Sequence, residues 1–186
     1  LEGRDVATID IPNAFIQTRI HDEKDMAILK IRGYLVDVLQ DIDPEFYNPY
    51  VTTDKKGGKQ IVVQAQNAIY GTMVASLLYY RKFKKTVLRE GFTINDYDPC
   101  VANREIDGTQ QTILWHVDDC KVSHVDPEVN TKLIEVLKQE YESIFEDGSG
   151  EMTVHRGKVH KYLGMTLDFT TPGQCKVSML TTLMRS

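Results

Sequence analysis

The chain has 186 residues, 41% hydrophobic, 26% charged and 9% aromatic, enough apolar material for a core and a length that suits one domain or one domain with a lobe. Twenty-seven acidic against 22 basic side chains leave a formal charge of −5. That balance speaks against a basic nucleic-acid coat protein and leaves room for an enzyme with a local basic groove. No apolar run nears the roughly 18–20 residues that span a bilayer, and no signal peptide opens the chain. Cys100, Cys120 and Cys175 are odd in number, far apart and in no C-x-x-C pair, which argues against a disulfide framework and for a reducing, intracellular setting. The first residue is Leu1, so the chain reads as a piece of something longer.

Val6 to Ile11 reads as a strand ended by Pro12-Asn13, and Ala14 to Gln17 as the start of a short helix. Met26 to Ile31 predicts another strand, and Gly57-Gly58 a hairpin turn ahead of the strand Gln60 to Val63. Between these strands Asp37, Asp41, Asp43 and Pro44 read as loop. After Gly71, the spacing of Met73, Leu77, Tyr80, Phe83, Val87 and Leu88 predicts an amphipathic helix. Arg81, Lys82, Lys85 and Arg89 lie on its opposite face, and Gly91 stops it. Cys100 to Asn103 is a short strand, Asp107-Gly108 a turn, and Thr112 to Val117 and Cys120 to Ser123 form a hairpin with Asp118-Asp119 at its tip. Asp126-Pro127-Glu128 caps a helix whose apolar positions are Val129, Leu133, Val136, Leu137, Tyr141 and Ile144. A loop at Asp147 to Gly150 precedes a last hairpin: a strand Tyr162 to Leu167, a turn at Thr171-Pro172-Gly173, and a strand Cys175 to Ser178. This order predicts an α+β fold, a split βαβ (ferredoxin-like) antiparallel sheet with helices on one face.

Three carboxylates stand out by placement. Asp10 ends the first strand, and in a split βαβ sheet that strand neighbours the central hairpin, so Asp10, Asp118 and Asp119 can converge. Adjacent acids repel unless a cation or solvent screens them. A pair of divalent ions about 3.5–4 Å apart, clamping the oxygens of a phosphoryl transfer, is one use for such a cluster; a polar turn and a strand-end residue are the plainer alternative.

The surrounding words carry a family resemblance. Asp10-Ile11-Pro12-Asn13-Ala14-Phe15-Ile16-Gln17 resembles motif A (D-x-x-x-A-F) of the reverse transcriptases of copia-type LTR retrotransposons. Ala68-Ile69-Tyr70-Gly71 resembles their A-L-Y-G, and Gly91-Phe92 with Tyr97-Asp98-Pro99-Cys100-Val101 their G-F…D-P-C-V. His116-Val117-Asp118-Asp119 resembles motif C, and Tyr162-Leu163-Gly164-Met165 the Y/F-L-G motif near the primer. The words run in family order over residues 5 to 170.

The resemblance implies a polymerase palm (residues 1–20 and 67–186, motifs A to E) with a partial fingers subdomain (21–66), one reverse transcriptase fragment over 1–186. It implies transfer of nucleotides from dNTPs to a primer 3′-hydroxyl with two Mg²⁺ ions, Mn²⁺ being an alternative metal. Asp10, Asp118 and Asp119 would be the catalytic carboxylates, with Ile11 adding a backbone carbonyl to the metal set. Phe15 would be a steric gate under the incoming sugar, and Tyr70 and Gly71 the floor under the nascent pair. Tyr162, Leu163, Gly164 and Met165 would touch the primer end. Arg81, Lys82, Lys85 and Arg89 offer a template-phosphate face or, equally, a solvated helix face. The partners implied are an RNA or DNA template with primer and the other Pol regions: upstream fingers, thumb, RNase H and integrase. No membrane partner is implied, and the setting is a cytoplasmic virus-like particle or the nucleus.

The chain departs from the family where Thr72-Met73-Val74-Ala75-Ser76 replaces L-K-Q-A/S-P, and where His116 replaces the usual Tyr. His155 and His160 lack a third partner for a zinc site. Only about nine residues precede Asp10, so the basic upstream fingers lie outside the chain, as do thumb and RNase H. Two other readings remain: a catalytically inactive relic that binds nucleic acid or a protein partner, and another two-metal enzyme on the same sheet, such as a nucleotide cyclase.

Overall fold

Residues 3–72, 74–142 and 150–179 are described by a computed structural model; the expected apolar positions Met73 and Ile144 and most of the loop 147–150 lie outside the described residues. The first strand, β1 (Asp5–Asp10), is buried on both faces along Val6, Ala7, Thr8 and Ile9, which is why its sequence shows no polar alternation. Pro12 to Gln17 then runs as consecutive turns and not as the expected helix. Asn13 takes a left-handed φ of 54° that interrupts helical geometry and that asparagine tolerates.

The next segment carries β2 (Ile28–Arg32), α1 (Tyr34–Ile42), α2 (Pro44–Tyr47), β3 (Thr52–Thr53) and β4 (Lys59–Gln64). Asp37, Asp41, Asp43 and Pro44 were expected in loop; Asp37, Asp41 and Pro44 instead lie in helices, and Asp43 is the single residue between α1 and α2. Asp37 sits in the first turn of α1 and pairs with Lys59 at 2.8 Å. The Asp43 carboxylate caps α2 by accepting from the Phe46 N–H at 2.9 Å, with Pro44 in its first turn. Acids and proline suit helix starts as well as loops. The expected hairpin turn forms at Asp54–Gly58, where the Asp54 side chain accepts from the Lys56 and Gly58 amides.

Helix α3 (Ala75–Arg89) ends where Gly91 adopts φ 84°, its N–H reaching Leu88 O and the Phe92 N–H reaching Val87 O, a glycine-terminated C-cap. Its buried face is Ala75, Tyr79, Phe83, Thr86 and Val87, while Leu77 and Leu88 are 45% and 47% exposed. The face is rotated from the expected stripe because a Thr86–Tyr141 hydroxyl bond of 2.7 Å lets two polar groups enter the core.

Strands β5 (Thr93–Ile94), β6 (Val101–Ile106), β7 (Thr109–His116) and β8 (Asp119–His124) follow, then α4 (Pro127–Tyr141), capped as expected by the Asp126 side chain on the Glu128 N–H. The last strands are β9 (Thr153–Arg156), β10 (Val159–Tyr162), β11 (Met165–Asp168) and β12 (Lys176–Ser178). The stretch expected as one strand, Tyr162 to Leu167, is split by a two-residue turn in which Leu163 and Gly164 have φ 49° and 75°.

Six strands make one antiparallel sheet in the order β5-β6-β7-β8-β1-β9, and β10-β11-β12 and β2-β4-β3 make two smaller sheets. Tyr79, Phe83 and Val87 of α3 and Leu133, Ile134, Leu137 and Tyr141 of α4 pack on Ala7, Ile9, Ile113, Trp115, Cys120 and Val122 of the large sheet. Phe83 lies 5.2 Å from the Trp115 ring and 5.6 Å from Tyr141, ring pairs worth about 0.5–1.5 kcal/mol each beyond their burial. The large sheet is the expected α+β architecture, a split βαβ antiparallel sheet with helices on one face; two smaller sheets accompany it. Among the described residues no helix is long and apolar enough to cross a membrane.

Candidate active site

The ends of β1 and β8 meet. In the β1–β8 ladder Asp10 stands opposite Asp119, and the Ile11 N–H donates to the Asp118 carbonyl at 3.0 Å. The acidic tip is thus tied by backbone to the end of the first strand, the convergence expected from the sequence. The two-residue turn is Val117-Asp118, one residue before the expected Asp118-Asp119 tip, with Asp119 already in β8; Val117 holds φ 55°, a conformation unfavourable for a β-branched side chain. Fully buried Ile11 and Cys120 lie beneath the acids.

The electrostatics follow from that crowding. Burial, then repulsion from Asp118, holds the Asp10 carboxyl above the ordinary carboxylate range. Asp119 is raised by burial and then by Asp118 and Asp10, with His116 acting the other way. Oxygen donors under mutual repulsion are the donor set of a hard divalent cation. Among the described residues, however, no three His, Cys, Asp or Glu side chains are arranged to hold a metal. The fit is therefore one of charge, donor type and backbone placement.

Phe15 and Tyr70 join this end. Their ring centroids are 4.6 Å apart, and the Tyr70 hydroxyl is raised by burial and then by the charges of Asp118 and Asp10. Gly71, at φ 86°, lets the chain turn from Tyr70 toward α3. Of the residues expected near a primer, Leu163, Gly164 and Met165 lie at the β10–β11 turn, Leu163 being 41% exposed. Tyr162 points inward instead, 7% exposed, its hydroxyl raised by burial and then by Cys120 and Asp119.

The four basic residues of α3 do not form one free face. The Lys82 ammonium donates to the Gln17 carbonyl at 3.1 Å and lies 4.8 Å from the Tyr141 ring centroid. Arg89, at the end of α3 away from Tyr70, pairs with Glu140 at 3.1 Å and Glu90 at 3.3 Å. Arg81 and Lys85 are exposed. His155 and His160 bond the Val159 and Gly157 carbonyls. The Lys82–Gln17 tether behind Phe15 and the left-handed Val117 have no sequence signal: both depend on which face of α3 is buried and on the register of the acidic hairpin.

Fold and site together give a split βαβ antiparallel sheet with an acidic strand end. No protein-family model and no curated protein matches the chain. Among solved structures, the chain is similar to apo telomerase from Candida tropicalis, with TM-score 0.50 and 11% identity over 95% of this chain and 33% of that one. A C-terminally truncated apo form gives 0.49 and 10% over 94% and 35%. The complex of that telomerase with the TWJ fragment of telomeric RNA gives 0.47 and 10% over 93% and 29%. The chain spans about a third of the length of these structures, and at such identity the first likeness supports the fold alone.

Proposed function

We propose that this chain is the palm and partial fingers of an RNA-directed DNA polymerase of a copia-type retrotransposon Pol polyprotein, extending a primer 3′-hydroxyl from dNTPs. The observation that carries this reading is the meeting of Asp10, Asp118 and Asp119 at one sheet end, held by the Ile11–Asp118 backbone bond and falling on motif A and motif C words. Asp10, Asp118, Asp119 and the Ile11 carbonyl would hold two Mg²⁺ ions. When bound, these supply the positive charge that favours an ionised primer hydroxyl and offsets the triphosphate.

The chain's own residues position the reactants. Phe15, braced against Tyr70, presents a ring edge beneath the incoming sugar and selects against a 2′-hydroxyl. Tyr70 and Gly71 floor the nascent pair, and the exposed turn Leu163-Gly164 with Met165 steadies the primer end. Template and primer, dNTPs and the remaining Pol regions are the partners of this reading. Of the basic residues only Arg81 and Lys85 are offered to template phosphates, since Lys82 and Arg89 are engaged within the chain.

The test is primer extension on poly(rA)/oligo(dT) with Mg²⁺, comparing this chain, the chain with its natural upstream segment restored, and Asp118→Asn of the restored form. Extension by the restored form that vanishes in the variant, with an unchanged circular dichroism spectrum, is the expected result. A folded restored form that extends nothing would move the reading to a non-catalytic relic.

A further inference from the structure

The turns that carry Phe15 belong to no helix or ladder, so the carbonyls of residues 12–17 have to find partners one by one. Four are satisfied locally. Pro12 O accepts from Gln17 Nε2 at 2.6 Å, Asn13 O from the Gln17 N–H at 3.2 Å, Ala14 O from the Thr18 hydroxyl at 3.3 Å and Phe15 O from the Thr18 N–H at 2.8 Å. Two are held from outside: Asn67 Nδ2 donates to Ile16 O, and Lys82 Nζ donates to Gln17 O at 3.1 Å.

The two outside anchors differ. Asn67 belongs to the backbone that returns beside residues 18–20, where Arg19 bridges to Asn67 and the Ala68 N–H reaches Thr18 O. Lys82 comes instead from α3, the helix whose Tyr79 ring meets the Phe15 ring edge-on at 6.0 Å. Tyr79 and Lys82 are three residues apart and so lie on one side of the helix. Thus α3 touches the Phe15 segment twice, ring against ring and ammonium on carbonyl, and the second contact fixes where the first falls.

A lysine is a costly residue for this position. Lys82 is half-buried, and among the described residues it enters no ion pair. Its ammonium lies 4.8 Å from the Tyr141 ring centroid, a surface that an apolar side chain would cover without desolvating a charge. What the lysine adds is a directional, charge-assisted bond to a backbone carbonyl.

We propose that Lys82 is a positioning residue for sugar selectivity: by holding the Gln17 carbonyl it sets the height of the Phe15 ring, and so the clearance left for a 2′-hydroxyl. This rests on the polymerase reading above, in which that ring lies beneath the incoming sugar. A wall that discriminates a single hydroxyl works only if its placement is tightly fixed, and the bond from α3 supplies that constraint.

Insertion of dUTP and of UTP opposite rA tests this, since the two nucleotides differ only at the 2′ position. The enzyme is the chain with its natural upstream segment restored, with Mg²⁺. Lys82→Met should shift kcat/KM toward UTP at least about fivefold, through a lower KM for UTP, while kcat for dUTP stays within about threefold. Lys82→Arg, which keeps a donor, should stay within about twofold of the unaltered form. On a Phe15→Ala background Lys82→Met should add no further shift, because both act through one ring. Amide hydrogen exchange should quicken at Gln17 and Thr18 and not in the last turn of α3. If Lys82→Met does not fold, Lys82→Gln, with its shorter uncharged side chain, takes its place with the same expectations. Equal losses for dUTP and UTP, or a full extra shift on Phe15→Ala, would overturn the inference and make Lys82 a packing residue. An unaltered restored form that inserts neither nucleotide would remove the polymerase reading and this selectivity with it. One that inserts dUTP, with unchanged selectivity in Lys82→Met, would remove this inference alone.

Discussion

Asp10 and Asp119 face each other across the β1–β8 ladder, and both carboxyls are raised by burial and by the charge of Asp118. The folded chain therefore holds more protons than the unfolded chain from about pH 4, the ordinary carboxylate value, up to the raised values. Their contribution to stability is complete below about pH 4 and is lost as pH rises through the raised range. At neutral pH the ionised cluster strains the fold it belongs to. Asp119→Asn is accordingly expected to melt at a higher temperature than the unaltered chain at pH 7, with the difference vanishing near pH 4. Mg²⁺ should raise the melting temperature of the unaltered chain more than that of the variant. Scanning fluorimetry across pH, with and without Mg²⁺, checks both; a variant that melts lower at pH 7 would show that Asp119 is held by attraction. The acids were legible in the sequence because Asp118-Asp119 and Asp10 fall within motif-like words; the adjacent pair alone reads as a polar turn. The left-handed Val117 beside them was not, because its conformation follows from the register of the hairpin and not from its residue type.

Helices α3 and α4 hold the acidic hairpin in position through one aromatic contact region, and their contributions differ in kind. Phe83 is fully buried between Trp115 and Tyr141, so Phe83→Ala should cost about 3–5 kcal/mol through lost transfer energy and a residual cavity. Asp126→Ala removes a single capping bond to the Glu128 N–H and should cost about 1 kcal/mol. Urea denaturation of the two variants checks the order; equal losses would mean that the core relaxes around the missing ring. The existence and ends of these helices were readable, since Gly91 and Asp126-Pro127 mark them chemically. The buried face of α3 was not, because Tyr79 and Thr86 are polar by composition: Thr86 enters the core through the hydroxyl bond that Tyr141 of α4 offers, and Tyr79 through its ring, stacked on Phe83 and edge-on to Tyr141. The same limit explains α1, where acids and a following proline suit a loop and a capped helix alike. It also explains the basic residues of α3, whose sequence grouping does not reveal that Lys82 reaches back to Gln17.

At the scale of the whole chain, the small sheet that carries the Leu163-Gly164 turn must be fixed to the palm for that turn to stand in a constant relation to the acids. β10 lies against β1, and the polar link between them is His160, fully buried, whose Nδ1 lies 3.4 Å from the Thr8 hydroxyl and whose Nε2 lies 2.9 Å from the Gly157 carbonyl. The neutral ring satisfies both contacts, donating from Nε2 and accepting at Nδ1. Burial lowers the His160 pKa, and His155, 5.2 Å away ring to ring, adds to the lowering while Gly157 opposes it. The unfolded chain then binds the proton more readily than the folded one below about pH 6.5. Stability from this link is complete above that value and is lost as pH falls through the depressed folded value, opposite in sign to the effect of Asp10 and Asp119. Acidification from pH 7 toward pH 5 should therefore weaken hydrogen-exchange protection of β10 and β11 amides before those of β6 and β7. In His160→Gln, which keeps a donor and an acceptor but cannot titrate, that acid-sensitive loss should disappear. If the variant retains the same pH dependence, another group fastens the small sheet. If β6 and β7 lose protection in step with β10 and β11, the two sheets open as one unit and the turn cannot move independently of the acids.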